Sequence, residues 1–581
     1  MAILAAGFLS ACGGAARTPL PLRPEPIAWA DTLPIPEPPD REVVEAPHLV
    51  NDALAGEVSD GISLRTAFGE DHEALNLTHF DDVVPSAWFE HRNAARPLTP
   101  DEVRRGPTTA AGPDTTGAME IVSAKVEGIA PGFNLRDGRG DTYVVKFDPE
   151  GYLHLSSAAG VIANRLFHAA GYHVPEDYIF VFDRDQLSVA EGAVFVDEEF
   201  EEHPLTLERL EDVFEGTDRL ADGRFLAVAS KFVAGPPKGP FLFEGRRGDD
   251  PNDHFAHEHR RELRGLKVVA SWVNHIDIRF MNTMDAYVQP GYLRHYLIDF
   301  AASLGSGTIR PHEPREGREH NVDFWASTAR ILTAGFYRVG WEGREWEVIE
   351  PSIGWMEVDE FDPGAWKANW PNNAFRNMTA RDAYWGAKLV GSFTDEQIRA
   401  AVAAGELPTS TAADTLADIL ILRRDRIVDH WYRHVSPLEN PVLRRAAGDG
   451  VAGATGPAAG AAESYVLEFD DLGIAEGLWA ADRVRYEWEL EHDAADRHWR
   501  GAGEADPAGT EGSAAARRSL RIAATGGSPG RVPGGGLAGR EALAELRVRV
   551  VGEDGRRYPP ATMWLRWQGA DAGYGVVGLE H

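Results

Sequence analysis

Cysteine is all but missing from this sequence, with one in 581 residues. That excludes an internal disulfide framework and a thiolate metal cluster, both of which need several thiols. Cations are also scarce: 58 Lys and Arg stand against 91 Asp and Glu, for a formal net charge of −33. Nucleic-acid affinity rests on clustered Lys and Arg that neutralise phosphates, so no nucleic-acid partner is expected and an anionic ligand must be held locally. Long apolar runs are the third absence. Beyond the N-terminus nothing reaches the ~18 uncharged apolar residues that span a bilayer. What is abundant is core-forming material, 43% apolar residues with 16 Trp and 25 Phe, in a chain too long for one compact core. Two or three folded domains are therefore expected.

The lone cysteine closes the stretch MAILAAGFLSAC. An apolar run leading into Leu9-Ser10-Ala11-Cys12 resembles a bacterial lipoprotein signal, although no basic residue precedes the run. The resemblance implies a signal over residues 1–12, acylation of Cys12, membrane attachment through that N-terminal lipid, and a place at the bacterial cell envelope, periplasmic or surface-facing. A frayed apolar terminus is the plain alternative. Residues 13–60 are so rich in proline that they read as an extended tether. Residues 61–117 read as an irregular extension, with one short element expected around VVPSAWFEHR.

A denser pattern begins at residue 118. Three strands are expected, an apolar first one, a second around Gly132-Phe133-Asn134-Leu135 and a third over Thr142–Phe147, with Asp137–Asp141 as the turn between the last two. Lys146 lies in the third strand between valine and phenylalanine, which is costly unless its ammonium meets an anion. An outward position on an edge strand is the simpler reading. SSAAGVIANRLFHAAG then has Val161, Ile162, Leu166, Phe167 and Ala170 on one helical face, with Ser156 or Ser157 as cap and Gly171 as stop. Strands follow at 178–182 and in RFLAVASKF, which leaves through GPPKGP. HEHRRELRGLKVVASWV reads as a helix with Leu263, Leu266, Val269, Ala270 and Val273 on one side.

Directly after it comes SWVNHIDIRFMNT, with His275-x-Asp277 and then Asn282, followed by an apolar strand that ends in Asp299-Phe300-Ala301. This H-x-D-x4-N spacing, the apolar-D-F segment and the strand lysine upstream resemble the protein-kinase-like core over about residues 118–440, nearest to its atypical HipA-like and CotH-like branches. The resemblance implies a two-lobed α+β fold, a small β-rich N-lobe with one main helix (118–235) and a helical C-lobe (236–440). It implies ATP and Mg2+ as cofactors, Asp277 and His275 as the catalytic pair, Asn282 and Asp299 as metal ligands, and Lys146 with Gly132 at the nucleotide. Oxygen donors suit a hard cation, and a lysine suits phosphate as a point charge.

Three departures bear on activity. Ala301 replaces the last glycine of the D-F-G pattern, Gly128 and Gly132 do not make a G-x-G-x-x-G loop, and the helix after Lys146 carries Gly160 where the family has a glutamate. Only Glu150 and Glu176 flank that helix. Two readings therefore stand: an ATP- and magnesium-dependent phosphotransferase acting on a hydroxyl-bearing protein or small-molecule substrate, or an inactive pseudokinase that binds a nucleotide or a partner at the cell surface.

His254, His257 and His259 lack metal-site spacing, so a solvated helix start is expected there. Arg260, Arg261, Arg264 and Lys267 read as a solvated face paired with local acids, and the acidic run 197–202 as a solubilising loop. Residues 315–440 should be helical, with Thr394 and Gln397 as a capping box and Leu416, Ile419, Leu420, Ile427 and Trp431 in the core. A Gly/Ala linker is expected over 441–463, and a small antiparallel β-sandwich over 464–581 with a Gly-rich insertion at 501–540.

Overall fold

The computed structural model describes residues 29–43, 73–125, 132–196, 202–215, 217–321, 324–334, 336–343, 346–446, 464–492, 497–507, 516–523, 543–568 and 573–581. Cys12, the signal segment, Gly128 and the acidic residues 197–201 lie outside them. Two compact units emerge: residues 29–76 with 83–434, and residues 77–82 with 435–581. Both have the expected α+β and β character.

The larger unit opens with residues 29–43, which were expected within a free tether. They are docked instead: Ile35 N–H donates to Gly291 O (2.7 Å) and Arg41 N–H to Lys238 O (3.0 Å). The carbonyls of Leu33, Ile35 and Pro39 accept from Asn252, Tyr287 and Arg247 side chains. Proline costs this segment donors but not acceptors, and side chains of the second lobe use those acceptors. Residues 83–117 also pack in, through Trp88 and Phe89, which are buried, and a capped helix α1 (Pro100–Arg105).

The N-lobe is one sheet in the order β4-β7-β3-β2-β1-β5-β6. Its strands are β1 (Met119–Lys125), β2 (Gly132–Arg136), β3 (Thr142–Phe147), β4 (Asp177–Phe182), β5 (Leu187–Val196), β6 (Glu202–Pro204) and β7 (Phe225–Lys231), with α2 (Leu155–Ala170) between β3 and β4 and α3 (Leu207–Glu215) before β7. Strand alternation assigns the two faces. Phe133, Tyr143, Val145, Phe147, Phe182 and Phe225 form an aromatic core on one side, which Leu210 and Phe214 of α3 complete. The opposite face of β3 carries Val144 and Lys146, both partly buried. Lys146 therefore stands in a central strand, between β2 and β7, and not on an edge.

Helix α2 is capped differently from expectation. Its N-cap is His154 in the left-handed region, without a side-chain cap bond. The buried Asp148 carboxylate does the capping, accepting from the N–H groups of His154, Ser156 and Ser157 (2.7–2.8 Å) and from Ser157 Oγ (2.7 Å).

The second lobe contains α4 (Arg261–Trp272), the hairpin β8 (Thr283–Val288) and β9 (Tyr292–Leu297), and helices α5 (Phe324–Leu332), α6 (Asn373–Arg376), α7 (Ala380–Gly391), α8 (Asp395–Ala403) and α9 (Ser410–Tyr432). Thr394 and Gln397 form the expected capping box of α8. Helices α4 and α7 touch through glycines: a Cβ on Gly265 would stand 2.6 Å from the Trp385 ring, and one on Gly386 2.7 Å from Gly265 O. The expected solvated basic face of α4 is in fact buried. Arg261 and Arg264 meet Asp382 of α7 at 2.8 and 3.0 Å, and Arg260 meets Glu262 at 3.1 Å. Close helix packing removes water from this face, so the charges need paired acids. His257 likewise pairs with Asp253 (2.9 Å). Among the described residues no three His, Cys, Asp or Glu side chains form a metal-sized group.

The smaller unit is a β-sandwich. One sheet runs β10 (Leu438–Arg445), β11 (Ser464–Asp471), β15 (Arg517–Ala523), β14 (Asp506–Pro507); the other runs β13 (Arg497–Gly503), β12 (Arg485–His492), β16 (Ala544–Val551), β17 (Ala561–Trp567), β18 (Tyr574–Glu580). Leu467, Phe469 and Leu520 of the first meet Trp488, Leu546, Val548 and Met563 of the second in one core. Two boundaries move. β10 occupies the start of the expected linker at 441, because Val442 to Arg445 pair with β11, and β14, β15 and the end of β13 lie inside the segment read as a Gly-rich insertion.

Candidate functional site

The site assembles where α4 ends. After Trp272 the chain turns at Asn274, whose φ is 48°. Asn274 and His275 both serve the turn. Asn274 Oδ1 accepts from Trp366 Nε1 at 2.9 Å, and its Nδ2 faces His312 Nδ1 at 3.0 Å. His275 is 1% exposed, with Nδ1 3.1 Å from Ala302 O and 3.0 Å from Ser303 Oγ. Burial lowers its pKa to about 4, so it is a neutral ring. His275 was expected beside Asp277 as a catalytic group. In the structure its enclosed ring holds the loop. It does so together with two phenylalanines: Phe167 of α2, Phe300 and His275 have mutual ring-centroid distances of 5.0, 5.5 and 5.8 Å. Backbone bonds from Ile276 N to Ala302 O (3.1 Å) and from Leu304 N to Val273 O (2.6 Å) tie the 273–277 loop to the segment after Asp299.

Asp277 and Asn282 face each other. Asn282 Nδ2 donates to the Asp277 carbonyl (2.7 Å) and to its Oδ2 (2.9 Å), and Arg279 Nε lies 3.2 Å from Oδ1. Burial raises the Asp277 pKa, opposed by Arg279 and the Asn282 amide. With its nitrogen committed, Asn282 leaves Oδ1 as an acceptor. Ile298 N–H donates to Asn282 O (3.0 Å), which fixes this turn beside the Asp299 segment.

Asp299 has a φ of 62°, a strained value for a non-glycine residue, and its carboxylate forms an ion pair with Lys146 Nζ. The pair joins the sheet to the second lobe across 153 positions of sequence. Gly132 sits opposite Lys146 in β2, where a Cβ would stand 2.1 Å from Val145 O. The sheet itself thus accounts for this glycine, which was expected at the nucleotide.

Of the flanking glutamates, Glu176 is taken by Thr109 and Tyr178 and Glu150 is exposed. Gly160 of α2 faces the Ala301 backbone, to which a Cβ would lie 3.8 Å from the nitrogen, so the helix is flush with the 299–301 segment. Sequence reasoning missed Asp177, a buried carboxylate at the start of β4 on which Lys146 and Asp299 both act electrostatically. An acid opening the apolar strand DYIFVF was the available signal. Arg279, two residues from Asp277, was also missed.

Asp277, Asn282 and Asp299 offer only oxygen donors, the chemistry a hard divalent cation takes, and Lys146 adds a cation for phosphate. These residues fit a magnesium–nucleotide ligand.

No protein-family model and no curated protein matches this sequence. Among solved structures, the chain is similar to a crystal structure of the Golgi casein kinase with Mn/ADP bound, at 9% identity and a TM-score of 0.29, covering 70% of this chain and 94% of that one. A second crystal structure of the Golgi casein kinase gives 9% identity and a TM-score of 0.28, covering 71% and 95%. At such scores residue roles do not transfer, and those given below rest on this chain's own geometry.

Proposed function

We propose that the chain is a kinase-like phosphotransferase that uses ATP and Mg2+ and acts on a hydroxyl group of a protein or small molecule. The convergence of Lys146 and Asp299 beside the Asp277–Asn282 turn carries this reading. Asp299 and the Asn282 Oδ1 are the groups that would hold the metal, and magnesium when bound supplies charge neutralisation for the transferring phosphoryl group. Lys146 sets its ammonium against the phosphates. Asp277 orients the acceptor hydroxyl and takes its proton, and the raised carboxyl pKa makes it a better base than an exposed aspartate. His275 and Phe300 hold both acidic loops in register.

The test uses the full chain with ATP and MgCl2. Mg·ATP is expected to raise the melting temperature, EDTA to cancel the rise, and Asp299→Asn to abolish it. Asp277→Asn is expected to keep binding while ADP formation falls by about 100-fold or more. Failure of Mg·ATP to stabilise the natural chain overturns the reading. Stabilisation without turnover converts it to a nucleotide-binding pseudokinase.

We also propose that the chain works at the bacterial cell envelope, lipid-anchored through Cys12. The apolar run before Leu9-Ser10-Ala11-Cys12 supports this. Incorporation of labelled palmitate that Cys12→Ser eliminates is the expected result; label retained in that variant refutes it.

A further inference from the structure

We propose that Asp177 is the carboxylate that receives Lys146 when Asp299 is engaged by metal, a positioning residue placed on a strand instead of on the helix. This rests on the reading above, in which Asp299 has two claims on it. In the structure Asp299 holds Lys146, and the same carboxylate is the proposed metal ligand. In that reading the phosphates meet the Lys146 ammonium from one side, and with Asp299 turned to the metal a second carboxylate is needed to hold the side chain in position.

Asp177 is placed to be that anion. It opens β4 opposite Ser230 of β7, which itself stands opposite Val144 of β3, and two positions further along Ile179, Val228 and Lys146 form the next row. Residues two apart in a strand share a face, so Asp177, Ser230, Val144 and Lys146 all lie on the side of the sheet away from the aromatic core. Asp177 is 4% exposed, and its Oδ1 has no hydrogen-bond partner among the described residues. The neighbouring guanidinium does not fill the gap: Nε, Nη1 and Nη2 of Arg165 donate to Arg104 O (3.0 Å), Asn164 Oδ1 (2.8 Å) and the backbone O of Asp177 (2.7 Å). Ser230 donates one hydrogen bond to the carboxyl, and burial raises its pKa to about 6 against the pull of that bond and of Arg165 and Lys146. An unsatisfied carboxylate oxygen in such a place is costly to keep, and Lys146 is the long, flexible cation on its own face. Helix α2 has no carboxylate to offer, since its small residues seat it against the 299–301 segment.

The test is a double-mutant cycle on Mg·ATP affinity, measured by titration calorimetry of the full chain in MgCl2. Asp177→Asn is expected to weaken binding about tenfold when Lys146 is present and to change nothing further in Lys146→Met. Asp177→Glu is expected to recover most of the loss. Asp177→Leu, which fills the site with an apolar group, replaces Asp177→Asn in the cycle if the latter does not fold. Equal losses in both Lys146 backgrounds mean a merely structural role and overturn the proposal, as does unchanged affinity in Asp177→Asn. If the natural chain fails to bind Mg·ATP, the functional reading falls and takes this inference with it, a result distinct from either of the other two.

Discussion

Asp148 shows how one side chain can set the geometry of a site it never touches. It follows Lys146 by two residues and caps α2, the helix whose Phe167 meets His275 and Phe300. Burial pushes its pKa up to about 6, even though four donors favour the charged form. Asp148→Ala leaves the N–H groups of His154, Ser156 and Ser157 without this acceptor. A cap and buried hydrogen bonds are lost together, so the expected cost is roughly 2–4 kcal/mol in urea unfolding. Asp148→Ser, which keeps a capping oxygen, is expected to recover part of it; no difference between the two variants argues against the capping role.

At the scale of elements, α4 and α7 are held together by both apolar and ionic contacts. The glycine contact brings the backbones close, and closeness buries Arg261 and Arg264 against one acid. Asp382 also belongs to the capping box of α7 with Thr379. Asp382→Ala removes the acid shared by two buried guanidinium groups, for an expected loss of about 3–5 kcal/mol. A triple variant that also changes both arginines to methionine is expected to regain most of it in the same urea titration. Because α4 leads into Asn274 and His275, loosening this pair is expected to weaken Mg·ATP binding as well.

Over the whole molecule, buried histidines set the response to acid. Burial lowers His173 to about 3, His275 to about 4 and His312 to about 3. Their folded pKa values lie below the unfolded value, so the stability they contribute is present above pH 6.5 and is lost as pH falls through it. Asp148 and Asp177, raised to about 6, act in the opposite direction and gain protons in the folded state as pH falls through 6. Between pH 7.5 and 6 the histidines dominate, with a net loss of roughly 2 kcal/mol. Urea midpoints at the two pH values measure it, and a midpoint that rises on acidification contradicts the assignment.

The sequence by itself determined what is local: strand and helix positions follow from periodicity, the α8 capping box from Thr394 and Gln397, and the motif pair Asp277–Asn282 from a spacing of five residues. Charge balance and the single cysteine also needed no structure. Tertiary structure decided whatever depends on who meets whom. The docking of residues 29–43, the burial of Arg261 and Arg264, the capping of α2 by Asp148 and the enclosure of His275 all come from contacts distant in sequence, where packing removes water and changes what a charged or polar group needs. The strand lysine, read most simply as an outward side chain, proved central because β7 arrives on its far side about 80 positions later. That the helix after Lys146 carries no carboxylate was legible in the sequence; that a buried one on β4 shares a sheet face with Lys146 follows from strand pairing.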